Sequence, residues 1–464
     1  LLKIKYKKPY WFCYTCSCDT HKETEVTSTA ITSLLKKHIG VNRIHIVRAN
    51  IETVEAEEAI VIDVANYKKD QCCCPICGRK APKYDLGRAK GLWRALDIGS
   101  TKLYLRADTQ RVACPEHGVH TQKVAWARSG SRFTYNFEGT VAWLSLHLPR
   151  TAVAEYMRIS WNTVGPILTR IEKELSAKSE NRFDNLVRIG IDETSFKKGH
   201  KYITVVVNHD TGCVVWAGEG HSEDTLSKFF ELLTEEQRKS IKLVSADGAR
   251  WITSTMRKYC PDAERCIDPF HVVSWVQDIL DKLKNKAVAE ARKEMLANKP
   301  KKQRGRPAAG EETETAEEKA YKSIKGSKYA LLKNPENLTD NQKARLEMIL
   351  LNNPKLAKAY RLKEELRLIF RLPLKEAPEA IYRWRHKAWT SRIPEFVAFH
   401  KKIKRHEEAI LATMKNGLSN ARIEAINNKI KLSIRMAYGF RNIENLFSTI
   451  MLRCGGLVVK LPGR

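Results

Sequence analysis

Three carboxylates in this chain stand where apolar periodicity gives no reason for one. Val187, Ile189 and Ile191 alternate as a half-buried strand does, and that strand is expected to end on Asp192. Residues 241–246, apolar at Ile241, Leu243, Val244 and Ala246, read as a buried strand that ends in Asp247-Gly248, where glycine permits a close backbone approach. Further on, Ile423, Ile426, Ile430 and Ile434 repeat at helical spacing. On the same helix Asn420, Glu424, Asn428, Lys431 and Arg435 form a polar stripe about 100° round from the apolar one. Two strand ends and a helix flank can thus bring Asp192, Asp247 and Glu424 together. Such a set can hold two hard cations, Mg²⁺ or Mn²⁺, through oxygen ligands. A pair of such ions serves in-line displacement at a phosphodiester. Lys431 and Arg435 are then expected to reach a DNA backbone, and strand alternation is expected to turn Glu193 away from Asp192.

A second chemistry is written in cysteine. Cys72-Cys73-Cys74-Pro75-Ile76-Cys77-Gly78 and Cys114-Pro115-Glu116-His117-Gly118 are two ligand-x-x-ligand knuckles, each followed by glycine. Each knuckle aims two ligands at one point, and two knuckles close a tetrahedron, the geometry of structural zinc. The expected ligands are Cys74, Cys77, Cys114 and His117, with Cys72 or Cys73 able to replace Cys74. Between the knuckles, residues 92–98 and 102–107 read as strands of a zinc ribbon.

The elements that must position the carboxylates follow in order. Strands are expected at 187–192, 202–207 and 212–218, a helix at 224–233, a strand at 241–246, a helix at 249–259 and a strand at 263–267. This β-β-β-α-β-α-β order is what an RNase H-like core requires, a mixed five-stranded sheet with helices. Asp268 and His271 follow the last strand as structural or supporting groups. Residues 272–410 read as a helical insertion and 411–458 as closing helices, so the fold class is multidomain α/β. Within the insertion, Lys301, Lys302, Arg304 and Arg306 form either a solvated linker or a hook for a narrow minor groove, in a linker region near 298–320. Tyr382, Trp384 and Trp389, interleaved with cations, suit either base stacking or packing between helices.

Upstream, 31–125 holds short elements and the ribbon, and 135–180 is helical. There Val141, Leu144 and Leu148 form one stripe, Thr151 and Ser160 are placed to cap two successive helices, and Val164, Ile167, Leu168 and Ile171 form the face of the second. A tight helical pair is either a plain hairpin or a helix-turn-helix. In the latter, Trp161, Asn162 and Thr163 would meet DNA. Charge favours DNA: 82 Lys and Arg against 53 Asp and Glu leave +29, which calls for a polyanionic partner. No apolar run reaches membrane-spanning length and no secretory signal is legible, so no membrane role and a cytoplasmic, nucleoid-associated location are expected. The 12 cysteines are clumped rather than spread as a disulfide framework. Residues 1–30, with Cys13, Cys16, Cys18 and His21, are expected to be a disordered or spurious leader, the first methionine being Met157.

The stretches GIDETSFKKGHKYITVV, LVSADGA, DPFHVV and NARIEAINNKIKLSIRMAYGFRN resemble those of bacterial insertion-sequence transposases of the DDE type, the ISL-three family. The resemblance runs from about residue 31 to the C-terminus. It implies that Asp192, Asp247 and Glu424 are a catalytic triad using two Mg²⁺ or Mn²⁺ ions, and that Cys74, Cys77, Cys114 and His117 bind structural zinc. It also implies double-stranded DNA partners, namely terminal repeats and target, and a homo-oligomer on DNA. His117 departs from the pattern, since many members carry cysteine there. Two other readings of the same residues are a DNA-binding regulator with an inactive core and a metal-dependent nuclease without strand transfer.

Overall fold

The computed structural model describes residues 28–41, 43–87, 90–297, 315–418 and 421–463. The leader cysteines, Asn420, and Lys301, Lys302, Arg304 and Arg306 lie outside the described residues. The chain forms two units, one of residues 1–181 with 432–464, the other of residues 182–431.

The first unit opens with α1 (Ser28–Ile39), β1 (Ile44–Val54) and β2 (Glu57–Asn66), and continues through β3 (Lys83–Leu86), β4 (Gly91–Ile98), β5 (Thr101–Ala107), β6 (Gln110–Cys114) and β7 (Gly118–Thr121). One sheet has the order β1-β2-β5-β4, a second the order β3-β6-β7. The strands over 92–98 and 102–107 therefore exist, but they pair in the first sheet rather than in the sheet β3-β6-β7. Their inward residues Trp93, Leu103 and Leu105 join Ile44, Ile62 and Trp126 in one core. The ribbon keeps only the short β3, β6 and β7. Three helices follow: α2 (Tyr135–Ser145), α3 (Arg150–Tyr156) and α4 (Trp161–Lys178). Ser160 caps α4 by accepting the Asn162 N–H, as its residue type suggests. Thr151 caps nothing. The helix starts at Arg150, two residues earlier than a Thr151 cap would set it, with Pro149 at the N-cap.

The second unit holds β8 (Arg188–Lys197), β9 (Lys201–Asn208), β10 (Cys213–Glu219), α5 (Glu223–Glu231), α6 (Glu235–Ser240), β11 (Leu243–Ala246), α7 (Arg250–Tyr259) and β12 (Glu264–Ile267). The expected order is present, with α6 added. That helix has no apolar stripe to betray it and is announced only by the Thr234/Gln237 capping box. The sheet order is β10-β9-β8-β11-β12. β8, β9 and β10 pair antiparallel, while β8-β11 and β11-β12 pair parallel. Asp192 does not end its strand: Glu193, Thr194 and Ser195 go on pairing with Thr204, Ile203 and Tyr202. Ile189, Ile191, Val206, Val244 and the α5 and α7 residues Phe229, Phe230, Ile252 and Met256 fill one side of the sheet.

The insertion runs through α8 (Pro269–Ala297), α9 (Ala316–Lys325), α10 (Lys328–Leu332), α11 (Asp340–Asn352), α12 (Pro354–Ile369), α13 (Ala377–Trp389) and α14 (Pro394–Asn416). It has its own core, including Leu280, Leu331, Leu366, Trp384 and Phe396. Trp384 is a packing residue whose Nε1 donates to the Leu362 carbonyl at 2.8 Å, whereas Tyr382 and Trp389 are exposed. α14 returns to the sheet edge, where Thr413 Oγ1 donates to the Ile267 carbonyl at 2.7 Å and Lys415 pairs with Glu264 at 2.9 Å. Gly417, at φ +60°, ends α14 in the left-handed conformation that glycine tolerates best. Then comes α15 (Ala421–Met436), and in the first unit α16 (Ile443–Cys454) contributes Leu452 to the apolar face of α4. Among the described residues no helix is long and apolar enough to cross a membrane.

Candidate active site and candidate metal centre

Register decides where the first two carboxylates meet. Ser245 of β11 lies opposite Gly190 of β8 in a parallel pairing. Two residues further along stand Asp192, still within β8 and on the face of Gly190 because side chains two apart on a strand point the same way, and Asp247, the first residue past β11, whose charge reaches Asp192. The face of Gly190 and Asp192 is opposite the Ile189/Ile191 core. Two features hold the turn after β11. Asp247 Oδ1 accepts the Ala249 N–H at 2.9 Å, and the Asp247 carbonyl accepts the guanidinium of Arg265. At Gly248 an added Cβ would lie 2.5 Å from the Trp275 indole, so any side chain there would force that ring of α8 to shift.

Helix α15 lies against the same face. A Cβ at Gly190 would stand 2.1 Å from Ile423 Cδ1 and 2.8 Å from His209 Nε2. Ile423, Ile426 and Ile430 are buried as their spacing predicts. From Gly190 to Asp192 is about 7 Å of strand and from Ile423 to Asn427 about 6 Å of helix, so the two elements keep step. Asn427, buried, donates Nδ2–H to Asp192 Oδ2 at 2.6 Å. The other oxygen, Oδ1, accepts the Glu193 N–H at 2.8 Å. Glu424, one turn before Asn427, is exposed, as are Lys431 and, in the first unit, Arg435.

Electrostatics ties the acids together. Burial, with the charge of Asp247, raises the pKa of Asp192, while the Glu193 N–H, His271 and Lys431 oppose the rise. Glu193 is pushed up to about 7, by burial first and then by Asp247 and Asp192. Alternation therefore does not insulate Glu193 from the site. His271, on the first turn of α8, acts on Asp192 through its charge, and Asp268 accepts the Phe270 N–H at 3.1 Å. Residue spacing pointed to neither Asn427 nor Arg265. Asn427 sits among polar residues of the same helix, and the only hint of Arg265 is a cation inside a four-residue strand.

The knuckles converge closely. The donor atoms of Cys74, Cys77, Cys114 and His117 all lie within 4.8 Å of one another. Cys74 Sγ to His117 Nδ1 is 3.9 Å, Cys77 Sγ to Cys114 Sγ 3.8 Å, and Cys114 Sγ to His117 Nδ1 3.5 Å. Bonds of about 2.3 Å to sulfur and 2.0–2.1 Å to nitrogen give a tetrahedron with edges of about this size. The residues fit zinc, and Cys74 rather than its neighbours completes the set. Cys72 Sγ instead accepts from Gln110 at 3.2 Å, and Cys73 Sγ donates to the Gln71 carbonyl at 3.7 Å. The Arg79 backbone N–H helps pull the Cys77 thiol down to about 6, toward the thiolate a metal needs. Gly78 and Gly118, at φ +72° and +75°, supply the left-handed turns of the two knuckles. Among the described residues this is the one such cluster, so the acids of the other unit do not converge as tightly.

At the start of α4, Trp161 and Asn162 are exposed and Thr163 is half-buried. The Arg441 guanidinium lies over the Trp161 ring, 5.2 Å from its centroid.

Comparison with known proteins matches each of these parts. A transposase profile, that of the ISL3 DDE domain, matches residues 189–450. The helix-turn-helix domain of transposase family ISL3 matches residues 122–172, and the zinc-finger of transposases IS204, IS1001, IS1096 and IS1165 matches residues 70–117. The transposase of insertion sequence IS1557 from Mycobacterium tuberculosis is 45% identical over 438 residues, which are 93% of this chain and 97% of the relative. That of IS1001 from Bordetella parapertussis is 28% identical over 380 residues, 81% of this chain and 87% of the relative. With more than half of its length under the transposase profile and nearly all of it aligned to the mycobacterial relative, the chain belongs to the ISL3 family of transposases.

Proposed function

We propose that this transposase recognises the terminal repeats of its insertion sequence through the ribbon and the helix-turn-helix, and cuts and rejoins DNA at Asp192, Asp247 and Glu424 of an RNase H-like core. One observation carries the catalytic half: β8 and β11 pair parallel and in register up to Gly190 and Ser245, two residues before Asp192 and Asp247, and the charge of Asp247 acts on Asp192. The sheet order, three antiparallel strands followed by two parallel ones, supports the RNase H-like reading.

Neighbouring acids that oppose each other's ionisation fit a hard divalent cation, because its charge relieves that repulsion. Asp192, Asp247 and Glu424 would hold two Mg²⁺ or Mn²⁺ ions. When bound, these supply activation of a water or 3′-hydroxyl and stabilisation of the leaving oxygen. The rest is the work of the chain. Arg265 fixes the Asp247 backbone and the Ala249 N–H its carboxylate, while the Glu193 N–H and Asn427 fix the Asp192 carboxylate. Lys431 and Arg435 neutralise phosphates, and Trp161, Asn162 and Thr163 read DNA. The working form is a homo-oligomer on DNA in the cytoplasm.

The test substitutes Asp192→Asn, Asp247→Asn and Glu424→Gln and follows element-end binding, cleavage and joined product separately. Each amide keeps shape but loses a charged ligand. Cleavage and joining should fall about a thousandfold or more, about 4 kcal/mol of transition-state stabilisation, with end binding retained. Glu236→Gln, on the exposed side of α6, is the control. A Glu424→Gln protein that still joins ends to target would remove Glu424 from the site.

A further inference from the structure

Asp192 is gripped by a residue of α15 other than the glutamate. Asn427 Nδ2 donates to Asp192 Oδ2 at 2.6 Å, and only 5% of the residue is exposed. Its second polar atom, Oδ1, is buried and has no hydrogen-bond partner. A buried amide oxygen left without a partner lowers stability, so native proteins keep few of them. The orientation of the amide follows from chemistry. Turned over, it would set Oδ1 against a carboxylate oxygen, two acceptors facing each other. The orphaned atom is therefore the oxygen, and it belongs to an amide already bonded to Asp192. Ile423, packed over Gly190, is a second contact of α15 with β8.

We propose that Asn427 belongs to the cation site: Nδ2–H orients the Asp192 carboxylate, and Oδ1 adds a neutral oxygen donor for a divalent cation. This rests on the reading of Asp192 as a catalytic ligand. The chemistry suits the place. Hard cations take amide carbonyl oxygens readily. A neutral donor adds no further repulsion where Asp192, Glu193 and Asp247 already oppose one another. The Glu193 N–H on Oδ1 of Asp192 and the Asn427 amide on Oδ2 leave each carboxylate oxygen with lone-pair capacity still free. Asn427 is one turn past Glu424 and one turn before Lys431, so helical spacing sets the glutamate, the amide and the lysine on one side of α15.

The test uses the full chain with its ribbon zinc, Mn²⁺ as the probe, and two variants. Asn427→Ala removes the amide; Asn427→Leu removes it while keeping the buried volume, in case the smaller residue fails to fold. Mn²⁺ binding is measured directly by calorimetry without DNA, alongside thermal melting, element-end binding and cleavage as a function of Mg²⁺ concentration. Loss of a group that orients a ligand typically weakens metal affinity about 10–100-fold. The expected result is a Mn²⁺ affinity lower by about that factor and a Mg²⁺ requirement for cleavage raised in parallel, with end binding unchanged. A residue that merely props up the fold would lower melting temperature and activity together without moving the Mg²⁺ midpoint. Either that pattern, or Mn²⁺ affinity within twofold of the parent in a folded variant, overturns the proposal. Asp192→Asn, run in parallel, separates the two readings. If it too binds Mn²⁺ and cleaves like the parent, the catalytic assignment falls; if it loses both while the Asn427 variants lose neither, only the present inference falls.

Discussion

Gly190 shows how one absent side chain positions a site. Its missing Cβ lets Ile423 and His209 close over β8, and this brings Asn427 within reach of Asp192 two residues along. Gly190→Val should therefore cost about 1–3 kcal/mol through overpacking and should lower cleavage more than end binding, measured as the denaturation midpoint beside the two activities. His209 carries a separable pH dependence. Burial, followed by Arg188 and Arg422, holds its pKa down to about 4, against the pull of Asp210, and its Nε2 lies 2.6 Å from Ser245 Oγ. The folded pKa lies below the unfolded one, so the unfolded chain takes up the proton first. The contribution is complete above about pH 6.5 and is lost as pH falls toward 4. The shift converts to about 3 kcal/mol, nearer 2 after solvent screening. Glu193 slopes the other way, because its raised pKa costs stability as pH rises from about 4.5 to 7. Only the difference between the parent and His209→Gln isolates the histidine. If the two stability curves stay parallel from pH 7 to 4, His209 does not titrate in this way.

Among the elements, the ribbon is where metal and fold are one. Its three strands are short and its core is little more than Cys74, Ala81, Val112 and Cys114, so the tetrahedron must supply what apolar burial cannot. Chelation or Cys77→Ser should unfold it and weaken end binding while the second unit keeps its melting transition. Purified protein without bound zinc would contradict this. The knuckles were legible because ligand spacing is local. The strands between them are legible but their sheet is not, because partner choice is not local: β5 pairs with β2, more than thirty residues back. The same limit explains the rest of the site. Asp192 and Asp247 could be found by asking which buried strands carry an acid, whereas Asn427 and Gly190 matter only once α15 is docked. The length of β8 past Asp192 is hidden in the sequence because polar Glu193-Thr194-Ser195 reads as a turn unless its pairing with β9 is known. In the insertion, Lys363 is a buried cation whose Nζ donates to the carbonyls of Leu331 at 2.9 Å and Lys333 at 3.3 Å, beside Glu364. Lys363→Ala would leave those groups without their cation and should destabilise the helical block by about 3–5 kcal/mol, read by denaturant unfolding.

At the scale of the whole molecule the dominant fact is charge. An excess of +29 spread over 464 residues draws any duplex without regard to sequence, whereas the proposed cutting site consists of a few neutral or acidic groups of the second unit. The two activities should therefore come apart in salt. Each phosphate neutralised contributes about −0.9 to the slope of log affinity against log salt. Replacing Lys301, Lys302, Arg304 and Arg306 together by glutamine should make that slope shallower by about 3–4 if the basic stretch lies on DNA, and should weaken binding equally on element ends and on unrelated duplexes. Trp161→Ala and Asn162→Ala should behave differently. They remove no charge, so the slope should stay while the preference for element ends falls, because base-edge contacts set discrimination and phosphate contacts set affinity. Asp192→Asn should change neither slope nor preference, since the group it alters is half-buried at the sheet face rather than spread along a phosphate track. A fourfold neutralisation that leaves the slope untouched would make the stretch an idle linker. If element-end preference also survived Trp161→Ala and Asn162→Ala, recognition would have to be sought in the ribbon instead of at the start of α4.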